Sequence, residues 1–263
     1  MSIRLRAAAV SDGGDHRPVN QDAAFAASWG AAVADGVGGG PSGDLASAAL
    51  IHRLVADAGA RRPDADALSE RLRIANWDLR ALVERDPTLR GMATTFTGLF
   101  VSDGGTLLLA HSGDSRAYRL RDGDFVRQSR DDSFVQVLVD RGLIAPEAAA
   151  SHPRRNLITA SFGGSEADAP TVQERSAAPG DRWLLCSDGL TDYVPEADVA
   201  ALVRDAATPQ RAAAALVGLA LEAGTRDNVT AVVCDVIDGE PAEEAPLFAG
   251  AAAIRFREDL EYA

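Results

Sequence analysis

Short apolar runs separated by polar turns open the chain, and they predict strands over residues 3–11, 22–27 and 31–34. Two longer segments follow, over 43–60 and 66–85, in which apolar residues recur with helical spacing. In the second segment the recurring residues are Leu68, Leu72, Ala75, Leu79 and Leu82. This spacing predicts an amphipathic helix with one face in the core.

The pattern changes over residues 95–126, where short β-prone runs are interrupted by Asp-Gly, Gly-Gly and Gly-Asp turns. Such turns between apolar runs are typical of β-hairpins. The remaining pattern predicts helices at 132–141, 196–205 and 208–222, an irregular region at 142–165, and strands at 170–175, 182–187 and 228–237. Helix pairs between meandering strands favour an antiparallel α/β sandwich over a regularly alternating, doubly wound fold.

We expect one domain over residues 1–238 and a C-terminal tail over residues 239–263. The tail begins with GEPAEEAP, which is typical of a linker. The more apolar sequence LFAGAAAIRF follows, and we expect it to pack back on the domain. The alternative is a partner-binding peptide.

The composition argues against several classes of function. The formal net charge of −13 does not suit a nucleic-acid groove, since phosphate backbones bind cationic surfaces. All 26 basic residues are arginine, which excludes lysine-dependent phosphate loops and Schiff bases. The two cysteines, Cys186 and Cys234, lie in apolar strand-like runs, where we expect buried thiols rather than zinc ligands.

We expect a cytoplasmic protein with no membrane partner. No apolar run approaches the roughly 20 residues that a membrane helix needs. The apolar stretch near the N-terminus, AAAV, is too short to form the core of a signal peptide.

Five aspartates share one context, at a predicted strand end beside glycine or another small residue: Asp22, Asp35, Asp114, Asp188 and Asp227. The stretch VADGVGGGPSG at 33–43 surrounds Asp35 with glycines, which let a ligand approach the backbone closely. Taken alone, such an aspartate binds a metal, caps a helix or contacts a phosphate. Carboxylates that converge from several strand ends would suit a hard cation such as Mg²⁺ or Mn²⁺.

A set of motifs in a fixed order adds specificity that no single motif has. The motifs are RPVNQD (17–22), ADGVGG (34–39), GMATT (91–95), GDSRAY (113–118), SRDDS (129–133), LLCSDGL (184–190) and TRDNVT (225–230). In this order the chain resembles the metal-dependent serine/threonine protein phosphatases of type 2C, above all the compact bacterial members. The resemblance runs from about residue 5 to 237, and it makes residues 1–238 the expected catalytic domain.

The resemblance implies an α+β fold, a four-layer αββα sandwich of two antiparallel sheets flanked by helix pairs. It also implies two Mn²⁺ or Mg²⁺ ions in the core site. Asp35 would bridge both ions, and the Gly36 carbonyl would bind one of them. Asp188 and Asp227 would complete the other, while Asp22 would act through a metal-bound water.

The resemblance further implies hydrolysis of phosphoserine and phosphothreonine by direct attack of a water that bridges the two ions. Arg17 would bind the substrate phosphate, so that Arg17, Asp35 and Asp188 form the catalytic set. A third, weaker ion is expected at Asp131; its neighbour Asp132 makes the assignment ambiguous, and motif alignment favours Asp131. Val37 stands where animal members carry a histidine.

The expected partners are phosphorylated proteins, the substrates of a serine/threonine kinase in bacterial signal transduction, and the expected state is a monomer. Two alternatives stay open: a catalytically silent binding or scaffold module, and a phosphatase that acts on a single regulatory protein. A silent relative would have lost metal carboxylates, and this chain keeps them. In GDSRAY, we expect Asp114 and Arg116 to form a buried structural ion pair.

Overall fold

The computed structural model describes residues 2–37, 42–56, 62–242 and 244–256. In chain order the strands of this described part are β1 (Ile3–Asp12), β2 (Asp22–Ala26), β3 (Gly30–Asp35), β4 (Phe96–Val101), β5 (Leu107–Ser112), β6 (Arg116–Arg121), β7 (Asp124–Arg127), β8 (Thr171–Arg175), β9 (Arg182–Cys186), β10 (Val229–Asp238) and β11 (Leu247–Gly250). They form two antiparallel sheets, one with the strand order β1-β10-β9-β6-β7 and one with the order β11-β2-β3-β4-β5-β8.

Helices cover the outer faces of the two sheets. The described helices are α1 (Gly43–Ala56), α2 (Ala65–Arg85), α3 (Phe134–Asp140), α4 (Pro146–Ala149), α5 (Asp188–Thr191), α6 (Glu196–Asp205), α7 (Pro209–Glu222) and α8 (Ala251–Ile254). The pair α1 and α2 packs on the six-stranded sheet, and the pair α6 and α7 packs on the five-stranded sheet. The predicted four-layer αββα sandwich is confirmed.

Alternation along the strands builds the layers. On β2, Ala23 and Phe25 face the helix pair α1 and α2, whereas Ala24 and Ala26 face the other sheet. All four side chains are buried, because both faces of this sheet are covered. The fully buried Trp183 on β9 belongs to the layer between the sheets. The core is therefore three stacked apolar layers, and the polar strand ends lie at its edges.

Helix α2 follows the predicted periodicity. The side chain of Asp64 accepts a 2.7 Å hydrogen bond from the Ala67 amide and caps the first turn. Leu68, Leu72 and Leu79 are buried on the face that the spacing predicts. The other predicted helix of this pair, 43–60, begins at Gly43 and is helical to Ala56; residues 57–61 lie outside the described part.

Two predicted boundaries differ from the structure. Helix α3 begins at Phe134, not at residue 132, because the Ser133 side chain caps it by accepting a hydrogen bond from the Gln136 amide. The region 142–165, predicted to be irregular, contains the short helix α4, which starts at Pro146. Within the described residues, no helix combines the length and apolar character needed to cross a membrane.

Candidate active site

Asp22 and Asp35 meet at one edge of the six-stranded sheet. Asp22 begins β2 and Asp35 ends β3, and the two residues are direct cross-strand partners in the antiparallel register. Asp22 is fully buried, whereas Asp35 keeps part of its surface accessible. Two carboxylates at the outer ends of consecutive predicted strands are thus brought together by a single strand pairing.

The second sheet brings its own carboxylates to the same place. Asp188 follows β9 and Asp227 precedes β10, and these strands pair antiparallel, so both residues lie at one sheet edge. The Ser187 hydroxyl donates a 2.7 Å hydrogen bond to Asp22 Oδ2, which joins that edge to the start of β2. The four predicted metal-binding carboxylates therefore converge from both sheets.

Two glycines allow the backbones behind these carboxylates to approach closely. A Cβ built on Gly36 would lie 2.5 Å from the carbonyl carbon of Gly43, and one built on Gly189 would lie 1.9 Å from the carbonyl oxygen of Asn228. No side chain larger than hydrogen fits at either position without moving backbone. The glycines at 38–40, which the sequence also points to, lie outside the described residues.

Hydrogen bonds fix the backbone of Asp35 from one side. The Asp35 amide donates to the Thr95 hydroxyl at 3.0 Å, and the Asp35 carbonyl accepts from the Thr95 amide at 2.8 Å and the Thr94 hydroxyl at 3.0 Å. Both threonines are fully buried. The GMATT motif therefore acts as a support that sets the position of Asp35.

Sequence reasoning did not single out Ser187 and Asn228, which connect the segments of the site. The Asn228 side chain accepts a 2.8 Å hydrogen bond from the Gln21 amide and donates one of 2.8 Å to the Gly13 carbonyl. It therefore ties the loop between β1 and β2 to the start of β10. Ser187 directly precedes Asp188 in LLCSDGL, and Asn228 directly follows Asp227 in TRDNVT. Their position beside a predicted metal ligand is the feature of the sequence that could have identified them.

The carboxylates carry strongly perturbed pKa values. Burial raises the pKa of Asp22 to about 6, although the hydrogen bond from Ser187 acts against the shift. Burial, followed by the charges of Asp22 and Asp188, raises the pKa of Asp35 well above its usual range. Burial, followed by the charge of Asp114, does the same to the pKa of Asp188. Bound cations would stabilise the ionised form of carboxylates that are buried and repel one another.

The donor set fits hard divalent cations. Every predicted ligand offers oxygen, and the buried Oδ1 atom of Asp22 has no hydrogen-bond partner. Within the described residues, no group of three or more His, Cys, Asp or Glu side chains is close enough together to hold a metal ion without further ligands such as water or backbone carbonyls. Mg²⁺ keeps several waters and takes few protein ligands, so an open carboxylate cluster suits it better than a closed cage.

Arg17 lies at the mouth of this cluster. Its guanidinium donates to Asp227 Oδ2 at 2.6 Å and to the Arg226 carbonyl at 3.3 Å. The side chain is 41% exposed, so the group reaches solvent as well as a predicted metal ligand. A planar guanidinium in this position can meet a phosphate from the solvent side.

Asp131, the predicted ligand of a third ion, is paired with two arginines in the structure. Its Oδ2 accepts from Arg116 at 2.9 Å, and its Oδ1 accepts from Arg127. The carboxylate is buried between these two guanidiniums, which already neutralise it. The third-ion role of Asp131 thus stays a prediction that its surroundings do not favour.

The expected ion pair between Asp114 and Arg116 is wrong, because Arg116 bonds Asp131. Asp114 instead holds a buried Oδ1 atom without a hydrogen-bond partner. Burial, followed by the charge of Asp131, raises the pKa of Asp114 to about 7. Asp114 therefore resembles the metal-binding carboxylates of this site more than a structural anion.

A cavity of about 440 Å³ lies beside these residues. Asp114, Asp188 and Asp192 line one side, and residues of α3 and α4 such as Val139 line the other. Asp188 therefore borders a space that is large enough for several side chains.

Comparison with known proteins identifies the family of this chain. The protein phosphatase 2C family matches residues 16–220, and β1, Asp227, β10, β11 and α8 lie outside these matched residues. The serine/threonine protein phosphatase PstP of Mycobacterium tuberculosis is 42% identical over 258 residues, which are 96% of this chain and 49% of that protein. The chain thus spans about half the length of this relative.

Two solved structures share the fold. The crystal structure of the M. tuberculosis phosphatase PstP/Ppp has a TM-score of 0.84 and 41% identity, and the alignment covers 89% of this chain and 100% of that one. The catalytic domain of PstP in complex with two manganese ions has a TM-score of 0.82 and 40% identity, covering 90% of this chain and 100% of that one.

Proposed function

The chain belongs to the protein phosphatase 2C family, and we propose that it hydrolyses phosphoserine and phosphothreonine in proteins with two bound Mn²⁺ or Mg²⁺ ions. The observation that carries this proposal is the convergence of Asp22, Asp35, Asp188 and Asp227 from both sheets at one end of the sandwich. Arg17 stands at the mouth of that cluster.

Each carboxylate has a role in holding the ions. Asp35 lies centrally, since the charges of Asp22, Asp188 and Asp227 all act on it, and it is the residue that would contact both ions. The Gly36 carbonyl would join Asp35 at one ion, and Asp188 and Asp227 would hold the other. Asp22, buried behind them, would act through water. When bound, the two ions supply the positive charge that makes water a nucleophile near neutral pH and stabilises the phosphoryl oxygens.

The remaining polar groups orient the substrate and the ligands. Arg17 would bind two phosphate oxygens with its planar guanidinium and hold the phosphorus in line with the attack. Ser187 and Asn228 hold the strand ends in position. The carboxylates therefore do not need to move when the transition state forms. Val37 cannot protonate a leaving group, so the proton for the serine or threonine alkoxide would come from a water or from another group of the site.

The substrates that this chemistry selects are phosphorylated proteins. The cavity beside Asp188 offers space for the residues around the phosphorylated side chain. The pairing with a serine/threonine kinase, the monomeric state and the cytoplasmic location stay predictions from the sequence. A silent scaffold is not favoured, because the chain retains the predicted metal-binding carboxylates and the arginine at the mouth of the site.

The direct test is phosphate release from a phosphothreonine peptide by the purified chain. Activity should require Mn²⁺ or Mg²⁺, vanish with a chelator and return when the metal is restored. Asp188→Asn should lower kcat by about a thousand-fold, since several kcal/mol of transition-state stabilisation are lost. Asp103→Asn, at an exposed turn, is the matched control and should leave the rate unchanged. Equal turnover in the chelated sample would overturn the proposal.

A further inference from the structure

The C-terminal segment, defined here as residues 244–256, docks against the strand that carries Asp22. Its strand β11 pairs antiparallel with β2, and Gly250 is the cross-strand partner of Ala23. At Gly250 the backbone turns with φ of 63°, and a Cβ there would lie 2.1 Å from the carbonyl oxygen of Asp22. The segment therefore touches the backbone of a site residue at a position that only glycine allows.

Beyond that contact the segment packs along helix α1. The His52 ring stacks on Phe248 with centroids 4.5 Å apart and meets the edge of Phe256 at 5.3 Å. His52 Nε2 lies 2.8 Å from the Ala252 carbonyl oxygen, within hydrogen-bond distance. Ala251 and Ala252 are 2% exposed. Apolar contacts thus anchor the segment to the middle of α1.

An ion pair then joins the segment to the first turn of α1. Arg255 Nε donates to Asp44 Oδ2 at 2.6 Å, and the Asp44 side chain is only 14% exposed. Asp44 directly follows Gly43, whose backbone touches Gly36. Nearby, the Ser47 hydroxyl donates a 2.6 Å hydrogen bond to the Gln21 carbonyl. The first turn of α1 therefore packs directly behind Gly36 and the residue that precedes Asp22.

From these contacts we infer that Arg255 is a positioning residue for the metal site. It holds the first turn of α1 against Gly36, while Gly250 holds the start of β2, so that docking of the segment sets the backbone geometry of Asp22, Asp35 and Gly36. The inference rests on the metal site proposed above. Losing the ion pair should loosen the ligands without removing any of them, and should therefore weaken metal binding.

Mn²⁺ binding measured by isothermal titration calorimetry tests this role without relying on activity. Arg255→Ala should raise the Mn²⁺ dissociation constant about two- to five-fold, the effect of losing a partly exposed ion pair. Arg255→Lys should recover most of the affinity, because it keeps the charge. Amide hydrogen exchange should become faster in the first turn of α1 in Arg255→Ala, which locates the change.

The matched control breaks an ion pair at the other end of the same helix. Arg53 in the last turn of α1 pairs with Asp78 on α2 at 3.1 Å, and Asp78→Ala should leave Mn²⁺ affinity unchanged. The inference is overturned, and the proposed function is not, if Arg255→Ala leaves the Mn²⁺ affinity unaltered or if Asp78→Ala lowers it equally. A wild-type chain that binds no Mn²⁺ overturns the proposed function and this inference with it.

Discussion

The Ser187 hydroxyl donates a 2.7 Å hydrogen bond to Asp22 Oδ2 and so connects the two sheets of the sandwich behind the candidate site. The same hydroxyl accepts a 3.0 Å hydrogen bond from the Thr230 amide. All three residues are fully buried. The bond thus fixes one carboxylate oxygen of Asp22 and leaves its other oxygen for a ligand.

Ser187→Ala should destabilise the chain and weaken its affinity for metal. The substitution leaves a buried carboxylate and a buried amide without a partner, which costs about 1–3 kcal/mol of the free energy of unfolding. Urea denaturation in chelator measures the loss. Ser69→Ala is the control, since that hydroxyl donates to the Ala65 carbonyl of its own helix, α2. Equal stability of the two variants would contradict the role of Ser187.

Arg17→Ala should raise KM for a phosphopeptide more than it lowers kcat. The guanidinium would bind the phosphate in the ground state and the transition state alike, and the loss of such shared binding appears in KM. Arg17→Lys should recover only part of the effect, because lysine lacks the bidentate fork. Steady-state kinetics should show no change for Arg211→Ala, an exposed arginine on α7. An unchanged KM in Arg17→Ala would assign this residue a structural role only.

Without metal, the free energy of unfolding should fall as the pH rises from about 6.5 through the folded-state pKa of Asp114, which is about 7. The pKa values of Asp35 and Asp188 are raised in the folded chain, and that of Asp114 is raised to about 7. The folded chain therefore binds protons that the unfolded chain has already released, and this advantage is lost as the pH passes the folded-state values.

His111 has a pKa lowered by burial and acts in the opposite direction, but mainly below its ordinary value of about 6.5. Thermal melting in chelator across this pH window measures the trend. Saturating Mn²⁺ is the control condition and should weaken the dependence of stability on pH, since bound cations replace the protons on the carboxylates. A melting temperature that rises with pH in chelator would contradict the electrostatic account of the site.

Asp131→Asn and Asp114→Asn should have different effects on the free energy of unfolding. Removing the charge of Asp131 leaves Arg116 and Arg127 partly buried without their partner, and we expect a loss of about 2–3 kcal/mol in the free energy of unfolding. Asp114→Asn should keep or improve stability in chelator, because it relieves repulsion.

Metal content and turnover separate the two roles. If the chain takes a third ion, Asp114→Asn should lose it and keep the two core ions. Turnover should then fall more for a phosphoserine peptide than for an aryl phosphate, whose leaving group needs little protonation. A third ion that survives in Asp114→Asn but disappears in a folded Asp131→Asn chain would restore the assignment made from the motif alone.

The sequence predicts those parts of the fold that depend on local pattern. The leucines of α2 recur with helical spacing, and Asp64 supplies a recognisable cap, so the helix is visible without tertiary information. The aspartates that follow or precede apolar runs lie at strand ends for the same reason. Antiparallel pairing then brings Asp22 opposite Asp35.

Local sequence patterns do not show which of several possible partners a charged side chain or a strand pairs with. Arg116 has Asp114 two residues away in sequence, but the fold presents Asp131 to its guanidinium, across a hairpin. Strand β11 is likewise short and rich in small residues, so its own sequence pattern does not specify a partner. It pairs with β2 because the fold leaves that edge of β2 available. The support that Ser187 gives Asp22 also joins residues from different sheets.

The most direct test of the central claim is anomalous X-ray diffraction at the manganese edge from crystals of the chain soaked with Mn²⁺. We expect two anomalous peaks within bonding distance of Asp35, one of them shared with the Gly36 carbonyl and the other with Asp188 and Asp227. Soaked crystals of Asp35→Asn should lose at least one peak. Anomalous peaks that lie away from Asp35, or no peak in the cluster at saturating Mn²⁺, would contradict the assignment of these carboxylates as a two-metal centre.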